Sequence, residues 1–311
     1  MNVLCLNPFS EEEKTELKKL EGIEIAFSSY GEDLSPYYAE TEVILGNPSP
    51  ALLPNFKKLK WLQLESAGNE KYLIIPKHIQ LTNASGVYGI AISEYMLAAL
   101  LSSEKRLLEY DELQKKHQYT DLGLMNTVYN STIVCLGLGD IGTNFAKRVK
   151  AMGAHVIAVT RNLHECSSYI DEAYTVEDLQ EVLPRADVLA CALPHTDKTE
   201  GLLNYEMLTK CRKDCILINV GRGSLIEEDG LLQAMEEGYF SSVYLDVQRD
   251  EPLKADSKLY DKERLHITPH ISGKKNAIIT RQLLFQIMKE NLIRYRDDLP
   301  LDNVVDRTAG Y

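Results

Sequence analysis

Three polar side chains occur in order in the second half of the chain, each beside residues that shape a loop. Arg222 lies between two glycines, Glu251 precedes Pro252, and His270 follows Pro269. A guanidinium can hold a carboxylate and polarise a carbonyl. An imidazolium can donate a proton to a carbonyl oxygen during reduction, and a neighbouring carboxylate favours the charged ring and orients it. The set predicts reduction of a 2-oxo acid, with Arg222, Glu251 and His270 as catalytic residues and with Arg222 and His270 contacting the substrate.

Each of these residues also has a purely structural interpretation. His270 could complete the hydrogen bonds of a strand end, and Glu251 could be a solvated acid in a charged loop. His195 also follows a strand-like run and competes for the role of acid. We rank it below His270 because no arginine and glutamate precede it in the matching order. Arg222 is harder to dismiss, since glycines on both sides suggest close approach of the backbone to a ligand.

A glycine-rich turn in the middle of the chain, Gly137-Leu138-Gly139-Asp140-Ile141-Gly142, has the spacing of a dinucleotide cradle. It follows the apolar run Thr132–Leu136, which is typical of a buried strand. It opens a pattern with Ile141, Phe145 and Val149 on one helical face. A strand, a glycine-rich turn and a helix in this order predict a site for the pyrophosphate of a dinucleotide.

Each glycine of the turn has its own expected purpose. Gly137 permits the tight turn, Gly139 lets the backbone approach the pyrophosphate, and Gly142 allows close packing of helix on strand. The helix N-terminus offers N–H groups to the phosphates, and Asp140 must point away because its charge would repel them. We therefore assign Gly137, Gly139, Asp140, Ile141 and Gly142 to the cofactor site. The alternative is a glycine-rich turn without a ligand.

The residues after the next strand decide between the two nicotinamide cofactors. An NAD-specific site usually has an acid there, which binds both ribose hydroxyls. This chain has Thr160-Arg161-Asn162 and no acid at the strand tip. Arg161 could pair with a 2′-phosphate and Thr160 could donate a hydrogen bond to it. We place Thr160, Arg161 and Asn162 in the cofactor site and predict a preference for NADP(H), with NAD(H) possible. The alternative is that Arg161 is a solvated surface residue.

Short apolar runs alternate with helical patterns along the chain, which predicts parallel sheets with helical crossovers. The first sheet is predicted from Val3–Leu6, Ile23–Ala26, Val43–Leu45, Trp61–Leu64 and Leu81–Asn83. The second is predicted from Thr132–Leu136, Val156–Val159, Val188–Ala192, Ile216–Asn219, Ser242–Leu245 and His266–Thr268. Ser10, with Glu13 three residues later, indicates a capping box at the start of a helix.

Two long helical patterns separate these groups of strands, one from Ile90 past Leu108 and one over Asn276–Tyr295. The predicted fold is α/β, with two Rossmann-like or flavodoxin-like parallel-sheet domains. The nucleotide-binding domain (93–274) is inserted in a discontinuous substrate domain (1–92 and 275–311). The final helix is expected to return and pack on the first domain.

Bulk properties exclude several classes of partner. The 311 residues carry a formal net charge of -12, which would repel nucleic acid and anionic membranes. An anionic substrate must therefore be drawn by local cations. No signal peptide, membrane span or metal site is expected. The six cysteines are expected to be reduced thiols of a cytoplasmic protein: Cys5, Cys135, Cys166, Cys191, Cys211 and Cys215.

Together these residues resemble the D-isomer-specific 2-hydroxyacid dehydrogenase family, which includes glyoxylate/hydroxypyruvate reductases and phosphoglycerate dehydrogenases. The similarity covers nearly the whole chain. It is carried by Gly137–Gly142, Leu193-Pro194, 218–223, Asp246-Val247, Glu251-Pro252 and 268–270. It implies an NAD(P)-dependent oxidoreductase acting on CH–OH donors, usually a homodimer. The family's catalytic arginine, glutamate and histidine correspond to Arg222, Glu251 and His270.

The resemblance implies further contacts that the residue types alone do not. Asp246 would lie near the nicotinamide carboxamide. The loop Ser66-Ala67-Gly68 would bind the substrate carboxylate through backbone N–H groups, which places Ala67 and Gly68 in the substrate site. The remaining implied cofactor contacts are Leu193, Pro194, Val220 and Gly221.

Departures from the family pattern narrow the choice of cofactor and of activity. Thr160 stands where NAD-type members have aspartate, and Glu251 stands where formate dehydrogenases have glutamine, which argues against that activity. The chain ends soon after the last helix, so the regulatory domain of long phosphoglycerate dehydrogenases is not expected. The leading hypothesis is a glyoxylate/hydroxypyruvate reductase-like enzyme that forms D-2-hydroxy acids.

Two alternatives remain open. One is a phosphoglycerate dehydrogenase-type enzyme without a regulatory domain, which would need extra cations near Ser66–Gly68, where the sequence offers only Lys71. The other is a non-catalytic dinucleotide-sensing interaction protein. Tyr88 either lines the pocket or packs in a core.

Overall fold

A computed structural model of the chain describes residues 1–161, 167–273 and 277–307. The first elements are β1 (Asn2–Cys5), α1 (Glu11–Lys18), β2 (Glu24–Phe27), β3 (Val43–Leu45), β4 (Trp61–Gln63) and β5 (Gln80–Thr82). There follow α2 (Gly89–Glu104), α3 (Leu107–Lys115), β6 (Thr132–Leu136), α4 (Asp140–Ala151), β7 (His155–Thr160), β8 (Glu172–Thr175), α5 (Leu179–Val182), β9 (Val188–Cys191) and α6 (Tyr205–Leu208). The last are β10 (Ile216–Asn219), α7 (Glu228–Glu236), β11 (Ser242–Leu245), β12 (Leu265–Ile267) and α8 (Ile278–Arg296).

The chain forms two compact units. One contains residues 1–88 and 275–311, and the other contains residues 89–274. The second unit is therefore an insertion in the first, as the predicted fold class requires. The residue-level boundary predicted at 92/93 stays a prediction. Within the described ranges, no helix is both long and apolar enough to cross a membrane.

The first unit is built on a five-stranded parallel sheet with strand order β2-β1-β3-β4-β5. Its register pairs Asn2 with Glu24 and Val43 with Trp61. Apolar side chains cover both faces, as expected for a parallel sheet. Leu284, Met288 and Leu292 of α8 join the core on one face, so the final helix belongs to this unit as predicted. The predicted capping box of Ser10 and Glu13 starts α1.

The second unit is built on a seven-stranded parallel sheet with strand order β12-β11-β10-β9-β6-β7-β8. Within this sheet the chain first forms β6, adds β7 and β8 on one side, and then crosses to the other side to form β9 and the remaining strands. This is a doubly wound sheet, and its order reverses between β6 and β9. Ligands of such sheets bind beyond the carboxyl ends of the strands at this reversal. The glycine-rich turn and Leu193-Pro194 follow these two strands.

All the predicted strands are present, with ends shifted by at most one residue. The sequence missed β8, because none of its side chains is buried and its residues show no apolar run. This strand lies at the edge of the second sheet and pairs with β7.

The prediction of one helix from Ile90 past Leu108 is wrong. The structure has α2 and α3 instead, separated at Arg106, whose backbone is left-handed with φ 53°. The guanidinium of Arg106 bonds to Glu109 and to the carbonyl of Leu122. These bonds hold a turn that the helical spacing of apolar residues does not reveal, since Leu107 and Leu108 continue the pattern but are exposed.

Candidate functional site

The three glycines after β6 meet three different spatial demands. Gly137 has a φ of 100°, and a Cβ there would lie 3.0 Å from the carbonyl oxygen of Ala192. A Cβ on Gly142 would lie 2.0 Å from the carbonyl oxygen of Gly137, so α4 packs directly on the turn. A Cβ on Gly139 would meet nothing within 4 Å. The open space over Gly139, beside the first N–H groups of α4, fits a pyrophosphate.

Asp140, the first residue of α4, is engaged away from these N–H groups. Its Oδ2 accepts a hydrogen bond of 2.7 Å from the N–H of Gly89, the first residue of α2. Its Oδ1 accepts one of 3.0 Å from the side chain of Asn144. The carboxylate thus caps α2, where negative charge is favourable. Ile141, half-buried in the first turn of α4, contributes a backbone N–H at the same helix end.

The tip of β7 carries the residues expected to select the cofactor. Thr160 ends the strand and is paired with Thr175 of β8. Arg161 follows and is exposed. Asn162, the third residue predicted here, lies outside the described residues. The tip therefore presents a cationic side chain rather than an acid next to a hydroxyl.

The glycines around Arg222 are required by neighbouring protein backbone, and the expected approach of this backbone to a ligand stays a prediction. A Cβ on Gly221 would lie 2.5 Å from the carbonyl oxygen of Leu193, in the loop after β9. A Cβ on Gly223 would lie 1.9 Å from the carbonyl carbon of Gln248, in the loop after β11. The three loops are therefore packed backbone to backbone, with Arg222 in the middle one.

Arg222 is oriented by a buried asparagine whose role the sequence did not reveal. The side chain of Asn219, at the end of β10, is fully buried. Its amide donates to the carbonyl of Arg222 at 3.0 Å and its oxygen accepts from the N–H of Gly221 at 3.1 Å. Val220 is buried, and its N–H donates to the carbonyl of Cys191. The half-exposed guanidinium of Arg222 donates to the carbonyl of Gly221 at 2.9 Å.

Glu251 and His270 form a pair on adjacent loops after β11 and β12. Nδ1 of His270 lies 2.8 Å from Oε2 of Glu251. The other carboxylate oxygen accepts from the N–H of Gln248 at 3.1 Å. The His270 side chain is 49% exposed, and no described residue is hydrogen-bonded to its Nε2. His195, the competing candidate, has a hydroxyl partner instead, with Nδ1 2.9 Å from Oγ of Ser224.

The first unit contains the loop predicted to bind a carboxylate, directly after β4. Its carbonyl oxygens at four successive positions all accept hydrogen bonds. The pairs are Glu65 with Tyr88, Ser66 with Ala84, Ala67 with Asn83, and Gly68 with Ser66. Among the described residues, the N–H groups of Ala67 and Gly68 have no acceptor. Tyr88 therefore braces this loop and packs against the core of its unit.

Comparison with known proteins decides the family. Residues 97–272, more than half of the chain, match the sequence model of the D-isomer specific 2-hydroxyacid dehydrogenase, NAD binding domain. The chain belongs to the D-isomer-specific 2-hydroxyacid dehydrogenase family. It is thus an NAD(P)-dependent oxidoreductase, and its second unit is the nicotinamide dinucleotide-binding domain.

Relatives within this family match nearly the whole length. A solved family protein from Aeromonas salmonicida subsp. salmonicida is 32% identical, covers 98% of this chain and 99% of its own, and superposes with a TM-score of 0.89. An NADPH-dependent glyoxylate/hydroxypyruvate reductase from Sinorhizobium meliloti, solved with NADP and sulfate, is 25% identical, with coverage of 100% and 99% and a TM-score of 0.86. Glyoxylate/hydroxypyruvate reductase B of Shigella flexneri is 29% identical, over 82% of each chain.

In this 2-hydroxyacid dehydrogenase, Asp246 is completely buried and its carboxylate holds the loop after β12. Oδ1 accepts from Oγ1 of Thr268 at 2.6 Å and from the N–H of Ile271 at 2.9 Å. Oδ2 accepts from the N–H of Ser272 at 3.0 Å and from its hydroxyl. The described contacts of Asp246 therefore support the segment that carries His270. Its assignment to the nicotinamide stays a prediction.

Proposed function

We propose that this dehydrogenase is a reductase that prefers NADPH and converts small 2-oxo acids to D-2-hydroxy acids. Glyoxylate and hydroxypyruvate are the leading candidate substrates. The observation that carries the proposal is the His270–Glu251 pair, at 2.8 Å, in the same unit as the glycine cradle. The pair supplies an oriented acid beside the loop of Arg222, because Gly223 packs on Gln248 and Gln248 bonds to Glu251.

The cofactor would be held by the turn from Gly137 to Gly142, the loop of Leu193 and Pro194, and Val220 with Gly221. When bound, the nicotinamide dinucleotide supplies the hydride. Arg161 and Thr160, with Asn162, would favour the 2′-phosphate of NADPH, because a guanidinium binds phosphate in bidentate geometry. The Sinorhizobium meliloti relative, solved with NADP, supports this preference.

Three residues of the chain then bind the substrate, orient the acid and transfer the proton. Arg222 holds the substrate carboxylate and polarises the carbonyl. Glu251 accepts the Nδ1 hydrogen of His270, which fixes the ring and leaves Nε2 to carry the transferred proton. Protonation of the carbonyl oxygen by Nε2 completes the hydroxy acid.

The loop after β4 favours a small substrate. The N–H groups of Ala67 and Gly68 would bind the substrate carboxylate, since the carbonyls of that loop already accept other donors. The loop is flanked in sequence by Glu65 and Glu70, against the single cation Lys71. A substrate with a phosphate group would need further cations near this loop, which disfavours the alternative of a phosphoglycerate dehydrogenase-type enzyme.

The test is oxidation of NADPH by the purified protein with a panel of 2-oxo acids, with NADH in parallel. We expect glyoxylate and hydroxypyruvate to be reduced with NADPH, at a higher kcat/KM than with NADH and than with a phosphorylated three-carbon 2-oxo acid. A clear preference for NADH would contradict the assignment of Arg161. Tight NADPH binding without turnover of any 2-oxo acid would favour the dinucleotide-sensing alternative.

Two further features belong to the proposal. Exposed apolar side chains cluster after α3, with Tyr119 and Leu124 fully exposed and Met125 half exposed. Burial of this segment against a second copy would form the predicted homodimer, and a monomeric mass by light scattering would contradict it.

Reduced, buried thiols at Cys5, Cys135, Cys191, Cys211 and Cys215 accord with a cytoplasmic protein, and retention of the full-length protein in the cytoplasmic fraction tests that location.

A further inference from the structure

A hydroxyl on α2 ends a chain of hydrogen bonds that reaches the loop of His270. The hydroxyl of Tyr95 lies 2.7 Å from Oγ1 of Thr268, and that oxygen lies 2.6 Å from Oδ1 of Asp246. A carboxylate only accepts hydrogen bonds, so the single hydroxyl hydrogen of Thr268 goes to Asp246. The oxygen of Thr268 then accepts from Tyr95. The direction of donation is therefore Tyr95 to Thr268 to Asp246.

Asp246 holds the backbone on both sides of His270. Before it, Thr268 donates to the carboxylate through its side chain. After it, Ile271 and Ser272 donate to the carboxylate through their N–H groups at 2.9 and 3.0 Å. The N–H of His270 itself donates to the carbonyl of Asp246 at 2.8 Å. His270 has a left-handed backbone with φ 52°, which a residue with a side chain rarely adopts unless its surroundings impose it.

The helix that carries Tyr95 is also tied to the cofactor cradle. Its first residue, Gly89, donates its N–H to the carboxylate of Asp140 at 2.7 Å. A Cβ on Gly89 would lie 2.2 Å from that carboxylate, so the helix end is seated directly on α4. One helix, α2, therefore supports the cradle at Gly89 and the loop of His270 at Tyr95, six residues later.

We infer that Tyr95 is a positioning residue for His270, acting through Thr268 and Asp246. Its hydroxyl keeps the loop in the conformation that directs the imidazole towards the substrate oxygen. This inference rests on the proposed function, in which His270 donates the proton. Because Tyr95 acts on the acid and not on the cradle, losing its hydroxyl should lower proton transfer and leave cofactor affinity unchanged.

The first test compares hydroxyl deletions on the chain of bonds. Tyr95→Phe should lower kcat for glyoxylate by about tenfold, the effect of one lost hydrogen bond at a reacting geometry, with the Kd for NADPH unchanged. Thr268→Val should act in the same way, and Thr268→Ser should restore kcat because serine keeps the hydroxyl. Tyr205→Phe is the matched control. The hydroxyl of Tyr205, on α6, bonds to the two carboxylate oxygens of Glu237 at 2.8 and 2.9 Å, so its loss should not affect kcat.

The second test separates a positioning role from a general loss of stability. In a His270→Gln background, Tyr95→Phe should have no further effect on the residual rate, because the residue through which it acts is gone. The amide hydrogens of Ile271 and Ser272 should exchange faster in Tyr95→Phe, whether or not substrate is turned over. Unchanged kcat and unchanged exchange in Tyr95→Phe, with His270→Gln still inactive, would overturn this inference alone. Full turnover by His270→Gln would overturn the proposed function and the inference with it.

Discussion

His270 depends on two carboxylates with separate duties. Glu251 bonds to the ring at Nδ1, whereas buried Asp246 holds the backbone on either side of the residue. Arg222 has a comparable support in the buried side chain of Asn219. The side chains of Arg222, Glu251 and His270 are partly exposed, whereas those of Asn219 and Asp246, which hold their loops, are buried. This division suits a site that must bind a ligand without losing its geometry.

The acid is tested by replacing His270 and His195 separately. His270→Gln keeps an N–H that can bond to Glu251 but removes the transferable proton. We expect kcat for glyoxylate to fall by about 10²–10⁴-fold, with little change in the Kd for NADPH. His195→Gln serves as the control and should retain most of the activity, because its ring contacts Ser224 and, within the described ranges, no carboxylate. Loss of activity in the control, with His270→Gln active, would exchange the two roles.

Prediction at the residue scale was possible where one residue type has few alternatives, and the roles assigned to the site residues stay predictions. The cradle spacing, a strand-end arginine between glycines and a histidine after proline are local patterns, and the sequence shows them directly. Asn219 and Tyr95 could not be predicted, because their partners come from other turns and other elements. The sequence singled out the two glycines around Arg222, but it could not show that backbone from neighbouring loops leaves no room for a Cβ at either position.

At the element scale, the parallel strands of the second sheet place the candidate site beyond their carboxyl ends. The loops after β10, β11 and β12 carry Arg222, Glu251 and His270, and these strands are neighbours in the sheet. The apolar runs predicted this order of elements because buried strands need continuous apolar sequence. The edge strand β8 escaped prediction, since an exposed edge does not need such a run. Its backbone pairing with β7 nevertheless supports the strand that ends at Thr160.

Glu172 of β8 gives a prediction about pH. Hydrogen bonds from Arg185, Tyr174 and His155 lower the pKa of Glu172 from its ordinary value of 4.5 to about 2. A lowered pKa in the folded state stabilises the fold above the ordinary value, and this contribution disappears as the pH falls towards about 2. We expect Glu172→Gln to lower Tm at pH 7 by about 2 °C, because partly exposed ion pairs contribute at most about 1 kcal/mol.

The same variant should lose this deficit in acid. The difference in Tm between Glu172→Gln and the unaltered protein should shrink as the pH falls below about 4.5. Below that pH the carboxyl of Glu172 becomes protonated in the unfolded chain, so its contribution to the stability of the unaltered protein declines. Thermal unfolding at several pH values measures this, with Glu181→Gln on the exposed face of α5 as control. A deficit that stays constant down to about pH 2 would show that the charge of Glu172 has no part in stability.

At the scale of the whole molecule, an acidic protein must bind an anionic cofactor and an anionic substrate. The net charge of -12 opposes both, so attraction has to come from local donors. In the proposed function these donors are the N–H groups at the start of α4, the N–H groups of Ala67 and Gly68, and the guanidinium of Arg222. Each lies after a strand of a parallel sheet, in one unit or the other. The α/β architecture and the insertion of one unit in the other followed from the order of apolar runs, whereas substrate size depends on side chains that the order does not specify.

The central claim is hydride transfer to the C2 carbon of a 2-oxo acid with D configuration in the product. The most direct measurement is reduction of hydroxypyruvate with NADPH that carries deuterium at both C4 positions of the nicotinamide, followed by mass and chiral analysis of the hydroxy acid. We predict D-glycerate with one deuterium at C2 for each NADPH consumed. An unlabelled product, or the L isomer, would contradict the account.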